Sequence, residues 1–267
     1  MRRFLCLLAL AQTTVLALPA SAELDWGTAL NGEHRSTGNT ARDVYRHPRE
    51  TLEFFGISED MTVVELAPGG GWYTEILAPL LHERGEYYAA HYGMNGRSYY
   101  RRALGAYLQK LGENDDVYGN VTVTTLMPTE SVLIAPGGTA DMVLAFRNVH
   151  SWMRGEMLPE TFATAYAALK PGGVFGVVQH RARDNRSVEQ MKESGYVTEA
   201  LVIETAEAAG FQLAARSEIN ANPGDSADYA GGVWELPPGL RGDESTRAQR
   251  LAIGESDRMT LKFVKPQ

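Results

Sequence analysis

The run Met61-Thr-Val-Val-Glu-Leu-Ala-Pro-Gly-Gly-Gly-Trp-Tyr-Thr-Glu-Ile-Leu77 changes periodicity halfway along. Val63, Val64 and Leu66 form a short apolar run suited to a buried strand, with Glu65 near its end. Pro68 and Gly69-Gly70-Gly71 then turn the chain, and Ile76, Leu77, Leu80 and Leu81 recur at helical spacing. A strand, a glycine turn and a helix in this order open a doubly wound nucleotide-binding sheet. Glycine has no Cβ, so the turn lets a ligand approach the backbone closely. A carboxylate at the end of a buried strand is costly without a partner. Amino or hydroxyl groups of a ligand above the strand end would give Glu65 one.

Glu65, Ala67, Gly69 and Gly71 stand at alternate positions. The pattern resembles the acidic-x-Gly-x-Gly-x-Gly motif of class I S-adenosylmethionine-dependent methyltransferases, with Ala67 replacing the first glycine. Leu169-Lys-Pro-Gly-Gly173 before a fifth strand at Val174–Val178, and Ala209-Gly-Phe211 opening a sixth, are similar to that family too. Phe146-Arg147-Asn148-Val149 resembles the segment after strand four in quinone-ring methyltransferases. The resemblance covers residues 56–267, and the whole chain resembles a subgroup of predicted methyltransferases with signal peptides. It implies a seven-stranded, mostly parallel Rossmann-like sheet, doubly wound, whose seventh strand runs antiparallel between five and six. It also implies S-adenosylmethionine as cofactor, contacted by Glu65, Ala67, Pro68, Gly69 and Gly71. The second strand, Gly85–His91, ends in His91, where the family usually has an acid for the ribose hydroxyls. Imidazole cannot accept from two hydroxyls as a carboxylate does.

Strand four, Asp141–Phe146, runs into Arg147-Asn-Val-His-Ser-Trp152. In an open parallel sheet, ligands bind beyond the carboxyl strand ends at the switch between the two halves. Strands one and four flank that switch, so this segment faces the same cleft as the glycines. Arg147 is expected beside the cofactor and Asn148 in a positioning role. His150 is expected to accept a proton or orient the acceptor, with His91 and His180 as weaker candidates; a histidine's ordinary pKa suits it to such work near neutrality. Trp152 is expected to form a flat wall suited to an aromatic or apolar acceptor. The cofactor methyl is already activated, so the protein's task is alignment and exclusion of water.

The remaining elements follow from the same signals: a helix over 97–111, a third strand over Val121–Leu126, a helix through Leu158, Phe162, Ala165 and Leu169, and another over Val197–Ala209. A sixth strand is expected over Gln212–Ile219 and a last over Arg258–Val264. Residues 23–55 form an N-terminal cap carrying Arg35, Arg42, Arg46, His47 and Arg49. Those arginines read either as groups approaching an anion of substrate or cofactor, or as a solvated, salt-bridged face. Residues 220–257 are an insertion, either a surface excursion or a lid or substrate wall.

The 267 residues, 44% hydrophobic and 22% charged, suit one large α/β domain. Arg2 and Arg3, the apolar stretch from Phe4 to Leu18 and Ala20-Ser21-Ala22 predict a signal peptide, residues 1–22, cut after Ala22. Export to the periplasm or beyond is therefore expected, without a stable membrane span. Loss of Arg2 and Arg3 would take the formal net charge from −8 to −10, which argues against nucleic acid as a partner. The only cysteine, Cys6, would leave too, and no metal-ligand spacing is present. A small-molecule substrate is expected, with oligomeric state unspecified. The other reading is an exported, non-catalytic protein that keeps the fold and binds a nucleoside or other small molecule.

Overall fold

The computed structural model describes residues 24–95, 97–127, 130, 132–183 and 185–267. The expected signal peptide lies outside them. Seven strands form one sheet: β1 (Thr62–Leu66), β2 (Glu86–His91), β3 (Val121–Thr125), β4 (Ala140–Phe146), β5 (Leu169–His180), β6 (Gln212–Ser217) and β7 (Arg258–Val264). Their order is β3-β2-β1-β4-β5-β7-β6. β7 pairs antiparallel with β5 and β6, and the other pairs are parallel. This is the doubly wound, seven-stranded, mostly parallel sheet expected from the sequence, with its switch between β1 and β4.

Four short helices precede the sheet: α1 (Trp26–Asn31), α2 (Thr37–Thr40), α3 (Asp43–Arg46) and α4 (Pro48–Phe55). α5 (Thr74–Leu81), α6 (Ser98–Gly112) and α7 (Asp115–Tyr118) accompany β1 to β3. α8 (Val149–Arg154), α9 (Leu158–Ala168), α10 (Val188–Ser194), α11 (Glu199–Ala208) and α12 (Arg247–Ile253) complete the set. Among the described residues, no helix is long and apolar enough to cross a membrane.

Successive strand residues face opposite sides, and the core divides accordingly. Val64 and Leu66 join Phe162, Phe175 and Leu261 on one face. Val63 joins Ile76 and Leu77 on the other, together with Trp26, Ala29, Leu52 and Phe55 of the cap. The cap therefore shares a core with the sheet, and its polar residues are fixed relative to the strand ends.

Three local readings change. Val149–Arg154 is helical where a loop segment was expected. β5 already begins at Leu169, and the Lys-Pro-Gly-Gly segment forms an irregularity in its pairing with β4, between Leu169 and Val174. α10 was not anticipated, although Ser187 and Gln190 form a capping box at its start. In α6, Leu104 and Tyr107 are buried, whereas Leu108 is exposed.

Candidate functional site

A cleft of about 690 Å³ opens over the carboxyl ends of β1, β2 and β4, a size ordinary for small-molecule sites. Its floor contains two strained corners. Ala67 (φ 50°) follows β1 and Arg147 (φ 64°) follows β4, both left-handed without being glycine. Each costs about 1 kcal/mol or more. The strain is held by backbone bonds: Ala67 N–H donates to the Ala90 carbonyl at 2.8 Å, and Arg147 N–H to the Val178 carbonyl at 2.7 Å. Asn148 ties the corners together, its Nδ2 donating to the Leu66 and Ala67 carbonyls at 3.0 and 3.1 Å. Asn148 thus acts as a clamp across the switch.

The glycines divide their work. Gly69 (φ 61°) lines the cleft, and a Cβ there would meet nothing within 4 Å. Gly71 (φ 78°) does not line it; a Cβ there would meet Tyr107 at 3.1 Å and Lys110 at 3.2 Å. The expected ligand contact of Gly71 is therefore replaced by a turn-closing role, with its N–H on the Pro68 carbonyl at 3.0 Å.

Glu65 is 3% exposed and lines the cleft. Its Oε2 accepts from the Tyr87 hydroxyl at 2.5 Å and the Thr74 hydroxyl at 3.5 Å, while Oε1 has no partner among the described residues. Burial raises its pKa to about 7, against the opposing pull of those two hydroxyls. His91, at the end of β2, lines the cleft with its Nε2 3.3 Å from the Gly69 carbonyl and its Nδ1 3.4 Å from that of Tyr92. Desolvation lowers its pKa. In this arrangement His91 braces the glycine turn.

His150 lines the cleft but is a poor general base. The Gln179 amide nitrogen donates to the Gly195 carbonyl at 3.0 Å, which fixes the amide orientation, and to His150 Nδ1 at 3.2 Å. The ring proton therefore sits on Nε2, and His150 offers a donor. Burial first, then the charges of Arg154 and Arg147, take its pKa down to about 3. Orientation of an acceptor fits this geometry, and proton abstraction does not. His180 does not line the cleft; its Nε2 accepts from Arg147 Nε at 3.3 Å and its Nδ1 faces Ser256. Burial holds its pKa well below the usual value.

Trp152 is fully buried in the core, donating from Nε1 to the Tyr92 hydroxyl at 3.0 Å. Two residues along α8 rotate the side chain by about 200°, so Trp152 cannot share the face of His150. The aromatic wall comes instead from Trp234, in the 220–257 insertion, whose ring lies 5.9 Å from that of His150. Tyr73 stacked on Phe146 at 3.5 Å adds a second apolar surface. Tyr87 and Gln179 were not singled out by sequence reasoning, and Trp234 was noted only as part of the insertion. Only Trp234 carried a signal, an aromatic in a turn-rich insertion.

Arginines dominate the polar lining: Arg42, Arg46, Arg147 and Arg258, with Arg97, Arg154 and Arg241 also present. Among the described residues, Glu65 is the single carboxylate lining the cleft. Glu255, behind the lining, holds Arg42 Nε at 2.6 Å and Arg46 Nε at 3.0 Å, and it also pairs with Arg258. Arg42 and Arg46 thus combine features of both readings of the cap: each is salt-bridged to Glu255, and each lines the cleft.

No protein-family model matches the sequence, nor does any curated protein. Solved structures do match. A SAM-dependent methyltransferase from Aquifex aeolicus aligns with TM-score 0.54 at 20% identity over 67% of this chain and 87% of its own. The glycopeptide N-methyltransferase MtfA, in complex with S-adenosyl-L-homocysteine, aligns with TM-score 0.51 at 15% identity over 83% and 90%. This chain has the class I methyltransferase fold. The [4+2]-cyclase SpnF also matches, with TM-score 0.59 at 14% identity over 88% and 86%. The class I methyltransferase fold thus carries more than one chemistry, and the activity must be argued from the cleft.

Proposed function

We propose that the protein is an exported S-adenosylmethionine-dependent methyltransferase acting on a small acceptor. The observation that carries this reading is the open Oε1 of buried Glu65 beside the unobstructed Gly69, at the β1–β4 switch. A buried carboxylate with one unpartnered oxygen suits a ligand ammonium or hydroxyl. Glu65, Ala67, Pro68 and Gly69 would hold the cofactor, with His91 at the end of β2 on its ribose side. When bound, the cofactor supplies a methyl group already activated for in-line transfer. The chain's own groups align the reactants: Asn148 keeps the two strand ends in register, His150 offers a hydrogen-bond donor, and Trp234 and Tyr73 exclude water. Because His150 is a poor base, this reading favours an acceptor that is already nucleophilic at neutral pH. The non-catalytic binding reading draws support from the same histidine and from His91 at the usual place of an acid.

Calorimetric titration with S-adenosylmethionine and S-adenosylhomocysteine tests the cofactor. Both should bind, and Gly69→Val should weaken them at least tenfold, about 1.4 kcal/mol, because its side chain enters the open space over the turn. Unchanged affinity in a folded variant would remove the glycine turn from the site. Export is tested by mass spectrometry of the processed protein, which should begin at Glu23; an intact N-terminus in the cytoplasmic fraction rejects it.

A further inference from the structure

The cationic half of the cleft exceeds what the protein itself neutralises. Arg147 makes one side-chain bond, from Nε to neutral His180, and its two terminal nitrogens have no acceptor among the described residues. No carboxylate lies within ion-pairing distance of it among those residues either. Arg46 and Arg258 are 6% and 2% exposed and line the same cleft, yet each keeps a buried guanidinium nitrogen without an acceptor, Nη2 and Nε respectively. Arg42 keeps one as well. A single carboxylate, Glu255, serves Arg42, Arg46 and Arg258 together. Burying unpaired guanidinium groups side by side is costly, and the cost is relieved when an anion joins them. Arginine's planar fork suits a carboxylate or phosphate in particular.

The location separates this feature from the Glu65 end. Arg147 leaves β4, its partner His180 ends β5, and Arg258 opens β7. In the order β1-β4-β5-β7, strands about 4.8 Å apart place β7 roughly 14 Å from the strand that carries Glu65. Glu65 and His91 mark the other half, over β1 and β2.

We propose that the end of the cleft over β4, β5 and β7 binds an oxyanion of the methyl acceptor, a carboxylate or phosphate, with Arg147 as its direct ligand and Arg46 and Arg258 behind it. This deepens the methyltransferase reading and rests on it for the ligand's role as methyl acceptor; the anion site itself can be tested without it. The acceptor is then a small molecule with an apolar body lying against Trp234, as expected of an aromatic or apolar acceptor, and with an anionic group that the sequence reading did not anticipate.

The test is calorimetry with benzoate and phenyl phosphate as probes and benzamide as the uncharged control, on the protein alone and on protein saturated with S-adenosylhomocysteine. At least one anion should bind in both states, benzamide at least about tenfold more weakly, and the stronger anion identifies the headgroup. Arg147→Gln should weaken the anion by about 10- to 100-fold while shifting S-adenosylhomocysteine affinity by no more than about twofold. Failure of both anions to bind overturns the proposal, as does binding no tighter than benzamide. Mutual exclusion between anion and S-adenosylhomocysteine on the unmutated protein also overturns it, because the arginines would then serve the cofactor's own carboxylate. Equal loss of both ligands in Arg147→Gln overturns it for the same reason. If S-adenosylhomocysteine alone fails to bind, the methyltransferase reading falls and the anion site stands on the titrations without it.

Discussion

Glu65→Gln should bind S-adenosylhomocysteine about 10- to 100-fold more weakly than the parent and yet unfold at a higher temperature at pH 8. Both effects have one cause. The carboxyl is buried, and desolvation lifts its pKa from 4.5 to about 7. A carboxyl with a raised folded-state pKa stabilises fully below pH 4.5, and that contribution is lost as the pH rises through about 7. Above that range the ionised group costs roughly 3 kcal/mol. Glutamine mimics the protonated form at every pH and still accepts from Tyr87. The melting temperatures should therefore coincide near pH 4.5 and diverge by several degrees at pH 8. Parent affinity should also fall roughly tenfold per pH unit below pH 7, as ionising the carboxyl becomes part of binding a cation. Melting curves and titrations at three pH values check both limbs. A variant that binds as tightly as the parent, or melts lower at pH 8, would refute the assignment of Glu65 as a ligand carboxylate.

Glu255→Gln should lose about 3–5 kcal/mol of stability at pH 7. Glu255 is 2% exposed, and burial alone would raise its pKa; Arg258, Arg46, Arg147 and Arg42 override that and hold it well below the usual carboxylate range. Its depressed pKa means that the stabilisation is present above pH 4.5 and is lost as the pH falls through the folded-state value. Neutralising it leaves Arg46 and Arg258 buried, and Arg42 half-buried, around an amide. Urea unfolding of parent and variant should show the full difference at pH 7 and a smaller one at pH 3. A loss under about 1 kcal/mol at pH 7, the range of an exposed ion pair, would show that the cluster does not depend on this carboxylate.

The sheet was legible because its signals are local. Val63, Val64 and Leu66 mark a strand and Ile76 to Leu81 a helix by period alone, and the Ala-Gly-Phe junction places β6. The site was legible only in outline. The glycine spacing shows where the backbone takes positive φ, but not which glycine faces the cleft; Gly69 does, and Gly71 lies against Tyr107. Trp152 was misplaced because α8 starts without a side-chain cap that would mark it in the sequence, and two residues of helix turn Trp152 away from His150. The chemistry of His150 depends on Gln179, and the meeting of Arg46 with Glu255 spans 209 residues. No pattern of local spacing carries contacts of that range.

The Arg42–Glu255 contact joins positions 213 apart in sequence. The cationic wall is thus made from the cap and from the segment leading into β7, the last strand to be synthesised. Closing so long a loop is the entropically expensive, late event of folding. A chain still emerging from a ribosome holds the glycine turn but not the wall opposite it. The cleft therefore has no partial form, and its two walls come together only where the whole chain folds.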